Sequence, residues 1–151
     1  MDIFSALLAY LHFGSIMLLA ALIATEFRLL QGPLDAKAVE MLSRVDIAYV
    51  SCGFMVLLSG AVRFGITSMG ILFIGGNPLF WLKMLLFGVL AMASLYLSWR
   101  YSRWVHLARM DSSFRVAPSE MGTARMLVKF QIALLALLPL LAVMMVRGIA
   151  R

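Results

Sequence analysis

Residues 9–27, AYLHFGSIMLLAALIATEF, decide the architecture. They lie inside a longer apolar stretch, Ile3–Leu29, and a bilayer core of roughly 30 Å takes about 20 such residues as one helix. Midway along sits His12, at a depth where hydrocarbon would surround it. An ionisable ring is costly against acyl chains, so it is expected to face a bundle interior and to mark a functional site.

Three further stretches have spanning length: Ile47–Thr67, Pro78–Trp99 and Leu127–Val146. None alternates as a membrane barrel strand would. The expectation is therefore an all-α, four-helix transmembrane bundle forming one domain over residues 1–151. Composition agrees, since 64% of the 151 residues are hydrophobic and only 13% charged, more apolar surface than a soluble domain can hide. The net charge of +6 lies between the apolar runs without a basic–aromatic stripe, so a lipid bilayer, not nucleic acid, is the expected partner. Cys52 is the single cysteine, which leaves no intrachain disulfide, no CxxC pair and no CxxCH haem attachment. The start, MDIFSALL, lacks a basic leader region and reads as a retained helix.

Arg28, Lys37 and Arg44 lie in the first loop; Arg100, Arg103, Arg109, Arg115 and Arg125 lie in or beside the third. These loops share one side, and the positive-inside rule puts them in the cytoplasm with both termini outside. The expected location is a bacterial inner (plasma) membrane, crossed several times. Gly32-Pro33 ends the first helix, and Asp35 caps a short helix, AKAVEMLSRV (36–45), expected to lie at the inner surface. Gly75-Gly76-Asn77-Pro78 opens the third span, and Pro118-Ser119-Glu120 starts the last one before it enters lipid. Pro139 falls inside that last helix and frees a backbone carbonyl there. Trp81, Trp99, Trp104 and Tyr101 suit interfacial belts, and His106 a solvated position.

Depth then sorts the polar residues into two layers. Toward the outside lie His12, Arg63, Lys83 and Arg147, four nitrogen-bearing groups whose convergence suits the carboxylates of a porphyrin or quinone-like ligand. Interhelical hydrogen bonding is the plain alternative for His12, and snorkelling to headgroups for Arg63, Lys83 and Arg147. Toward the inside, Glu26 and Asp46 lie near Arg28, Arg44, Arg100 and Arg103. Ion pairing that fixes helix ends is the expectation there, with a proton relay through Glu26 as the sharper alternative. Ser5, Ser15, Ser59, Ser94 and Gly60 read as packing residues on inward stripes. Met144-Met145 offers a weak soft-ligand signal, while the other methionines fill gaps. No hydrolytic triad, P-loop or HExxH is present.

The order LAYLHF…ATEFRLL…VDIAYVSCGFMVLLSGAVRFG…NPLFWLKMLLFGVLAMASLY…WR…LLPLLAVMMVRGIA resembles a bacterial family of small inner-membrane proteins of unknown function, over nearly the whole chain. That family is grouped with HemJ-type protoporphyrinogen oxidases and CopD-like copper-resistance domains, and the wider resemblance rests on a first-helix histidine and a third-helix W-x-K. It implies b-type haem, with His12 as candidate haem-iron ligand and Lys83 as the lysine opening the third span. Thr67-Ser68-Met69-Gly70 replaces the Lys-Gly element usual in the closer family. Copper is a poor fit, because one membrane histidine without a Cys or Met cluster makes a weak copper site.

Two functional expectations follow. In the first, the protein is a haem b- or porphyrin-linked redox protein, with Arg63 and Lys83 holding propionates. In the second, it is a non-enzymatic assembly, lipid-binding or small transport module. Either admits a homo-oligomer.

Overall fold

A computed structural model describes residues 3–66, 78–111 and 113–147. Four helices account for nearly all of them: α1 (Ile3–Leu29), α2 (Ala36–Ile66), α3 (Pro78–Met110) and α4 (Pro118–Val146). Each is long and apolar enough to cross a membrane. They close a ring, α1 against α2, α2 against α3, α3 against α4, and α4 back against α1. Large apolar side chains such as Phe13, Met17, Phe54, Met92 and Leu140 point outward, as a helix surrounded by lipid requires.

Local chemistry sets the helix ends. Asp35 accepts the Ala38 N–H at 2.9 Å, the N-terminal cap expected of it. Pro118 occupies the first turn of α4, where a missing N–H leaves nothing unpaired, and Glu120 sits in the same turn. Pro78 begins α3 as the sequence suggests. Pro139 lies within α4, whose helical assignment runs through it.

The short surface helix expected at residues 36–45 is not separate. It forms the first turns of α2, which runs unbroken into the span. No glycine or proline interrupts Val45-Asp46-Ile47, and Asp46 is buried, so that acidic residue does not mark a membrane surface. α3 likewise continues about three turns past Trp99. The loop signals at Thr67–Gly70 and Gly75–Asn77, and Arg151, lie outside the described residues.

Packing is uneven along the bundle. The main core gathers at the end carrying the basic loops, around Leu19, Ile23, Leu42, Leu97, Tyr101 and Trp104. A smaller cluster of Leu90, Leu134 and Leu138 continues toward the other end. No α1 residue before Ser15 is buried. The Val116 N–H reaches the Leu34 carbonyl, which ties the first and third loops together at the basic end. Trp104 and Tyr101 therefore belong to this core and not to an interfacial belt; Trp81 and Trp99 are the exposed pair.

Candidate functional site

The His12 layer is built from adjoining ends of three helices. His12 and Ser59 meet across the α1–α2 seam, with Nδ1 of the ring 2.9 Å from Ser59 Oγ. Ser59 has one hydroxyl proton and directs it at the Met55 carbonyl, 2.7 Å away in the preceding turn. With that proton engaged, the Ser59 oxygen is placed to accept from a proton on His12 Nδ1. That tautomer leaves Nε2 with a bare lone pair. A hydrogen bond of this kind from the far ring nitrogen is how ligating histidines are oriented.

Gly60 completes the seat. A methyl group added there would come within 3.1 Å of His12 Cε1 and 4.0 Å of Nε2. The Cε1 edge of the ring thus lies close enough to α2 that only glycine accommodates it without a shift. The stripes of α1 and α2 foretell both residues as inward-facing, and the structure supplies their pairing.

Arg63 and Lys83 lie within electrostatic reach of His12 and of each other. The Arg63 guanidinium also stacks 5.1 Å from the Phe13 ring centroid. Three of the four nitrogen-bearing residues therefore come together, all half-buried. Arg147 is exposed on the turn closing α4. Among the described residues every carboxylate belongs to the other half of the bundle, so this layer is cationic.

The second layer lies about 20 Å further along α1. Glu26 is 1% exposed, and its Oε1 accepts the Tyr101 hydroxyl at 2.7 Å. Asp46 is buried beside it, facing Ser98. The ion pairs expected here do not form. Arg44 pairs with Glu40, and Arg100 with Glu120 at 3.2 Å. Arg28 and Arg103 point outward. The reason is geometric, since the carboxyls face the bundle axis while the long cationic side chains follow the outer surface toward water.

Two participants escape the sequence reading. Gln131, 1% exposed, donates to Ser94 Oγ at 2.7 Å, and Tyr49, 3% exposed, faces the same layer. A lone amide in the run LVKFQIALLALL is a signal that could have exposed the first. His106 is exposed, as expected. Among the described residues no group of three or more His, Cys, Asp or Glu has metal-holding geometry.

A porphyrin can be tested against these positions. Nε2 of His12 offers one axial nitrogen, and Arg63 and Lys83 suit propionates. The groove of about 170 Å³ between α2 and α3 lies deeper along the bundle, lined by Tyr49, Gly53, Leu57, Phe87, Leu90 and Ser94, and includes none of these three side chains. The donor set fits; enclosure would have to come from lipid or a second chain.

The chain belongs to the family described as "Predicted membrane protein (DUF2214)", whose model matches residues 4–150. No curated protein and no solved structure matches it. The expected membership of a small membrane-protein family is thus borne out, and the match does not extend to HemJ-type oxidases or CopD-like domains.

Proposed function

We propose that this membrane protein holds an amphiphilic anion at the His12 layer, and that haem b or a related porphyrin is the occupant its imidazole singles out. The observation that carries the reading is the His12–Ser59 hydrogen bond beside two cationic side chains; with Nδ1 as its donor, Nε2 is the open nitrogen. His12 would take an axial position on the iron, and Arg63 and Lys83 would hold the propionates, with Arg147 admitting them at the rim. Bound haem supplies one-electron chemistry, and a quinone is the electron partner of matching solubility. In this reading the basic loops face the cytoplasm of a bacterium and the site faces outward across the inner membrane. A homo-oligomer would complete the enclosure that one chain lacks.

An optical spectrum of the gently solubilised protein, oxidised and reduced, tests this. A Soret band is expected, lost in His12→Ala and weakened in Lys83→Met. No Soret band after haem is supplied during expression would overturn the proposal.

One observation favours a second reading. Gly60 fits the His12 ring so closely that the pair could serve only as a clamp between α1 and α2. The protein would then be a non-enzymatic assembly, lipid-binding or small transport module. In that case Gly60→Val would disturb the protein in detergent as much as His12→Ala, without any bound chromophore.

A further inference from the structure

The acidic layer carries unmet bonding capacity. Glu26 Oε2 and Gln131 Oε1 are buried and have no hydrogen-bond partner among the described residues, while Tyr49 Oη and Ser98 Oγ, equally enclosed, face Ser94 and Asp46 without a bond of good geometry. Buried polar atoms are seldom left so, and internal water is the usual partner. Tyr49 Oη faces Ser94 and lies within electrostatic reach of both Glu26 and Asp46, so an almost fully buried hydroxyl shares the layer with the two carboxyls. Tyr49 and Ser94 also reach the edge of the groove of about 170 Å³, whose other walls are apolar, among them Leu57, Phe87 and Leu90.

The arrangement is a file. Ser94, Ser98 and Tyr101 occupy successive turns of α3, so the oxygens spread over about 10 Å. One metal ion would gather its ligands within about 2.6 Å of a single point. A line of hydroxyls ending on carboxyls suits water and a mobile proton instead. It stops at Ser94 and Gln131, about 16 Å along α3 from Lys83, with Leu86, Phe87 and Leu90 between.

The charged and titratable surroundings leave the carboxyls without a cation. Asp46, Tyr49 and Cys52 come from α2; Tyr101 comes from α3, with Arg100 beyond it engaged by Glu120. On α4, Arg125 donates to the Leu30 carbonyl at 2.6 Å and Lys129 stands 6.0 Å over the Phe27 ring. A buried carboxylate lacking a counter-charge neutralises by taking up a proton.

We propose that Glu26 and Asp46 form a blind proton-holding site, with water bound along Tyr49, Ser94, Ser98 and Tyr101. In loading, a hydronium ion transfers its proton to a carboxylate oxygen; an O–H bond forms on the carboxyl and a water molecule remains. Unloading is the reverse, and no oxidant or second substrate takes part. The site stands independently of any ligand at His12.

Infrared difference spectra of the reconstituted, ligand-free protein, recorded between neutral and acidic buffer, test it. A protonated-carboxyl C=O band is expected, shifting in D2O. It should be lost or halved in Glu26→Gln and Asp46→Asn, and moved to higher frequency in Tyr101→Phe. Glu40→Gln, at an exposed position, controls for surface carboxyls. Proteoliposomes should show no steady proton leak. A difference spectrum unchanged by Glu26→Gln, Asp46→Asn and Tyr101→Phe would overturn the proposal, and so would a leak through the wild-type bundle.

Discussion

His12 and Glu26 stand on the same helix, yet the bundle treats them in opposite ways. Around Glu26 the helices are packed to near-zero exposure, and Tyr101, Trp104, Arg100, Glu120 and Arg125 link three helices and a loop. Around His12 the groups are half-buried and cationic, and the ring is held against α2 through Ser59. The first region holds the fold together. The second is half-open and cationic, the character that sets it apart from the packed end.

Substitutions at the two ends should separate these roles. Tyr101→Ala is expected to have the largest effect, a loss of about 4 kcal/mol on thermal unfolding in detergent, because it empties a fully buried aromatic site and strands Glu26. Trp104→Phe keeps an aromatic body but a smaller one and removes the 2.9 Å bond to Glu120, and about 2 kcal/mol should go with it. Ser59→Ala should cost only about 0.6 kcal/mol, the scale of hydrogen bonds between membrane helices. If Ser59→Ala proved as damaging as Tyr101→Ala, the contrast between the ends would collapse.

The smallest effect lies at the loop after α3. Ser113 donates through its hydroxyl and its N–H to Asp111, at 2.7 and 2.8 Å, and these bonds hold the Asp111 carboxyl below its usual range. A carboxyl lowered in the folded state stabilises above its unfolded pKa, and that contribution fades as pH falls through the lowered value. Ser113→Ala should therefore lower stability slightly at neutral pH and leave strongly acidic pH unchanged, which flattens the acid limb of the unfolding profile.

Much of this was legible in the chain. Four apolar runs of spanning length give the bundle, and 3.6-residue stripes put Ser59, Gly60 and His12 inward before any contact is known. What the stripes cannot encode is register between helices. His12 meeting Ser59, and Glu26 meeting Tyr101 and not an arginine, depend on how α1 slides against its neighbours. Asp46 misled for a related reason: a carboxylate near a span end resembles a surface marker until its helix proves to continue past it. Trp104 and Tyr101 could equally have belonged to a belt or a core, since both accept an apolar body with one polar atom. Gln131 was visible as a lone amide but carried no pattern to interpret it.

Nitrogen-15 spectra of histidine-labelled protein without added ligand examine His12 most directly, with His106→Gln used to assign the two rings. The expected result is a neutral His12 ring protonated at Nδ1 with a bare Nε2, a preference that disappears in Ser59→Ala. A ring protonated at Nε2, or one carrying protons on both nitrogens at neutral pH, would contradict the open-donor geometry on which the proposed ligand site depends.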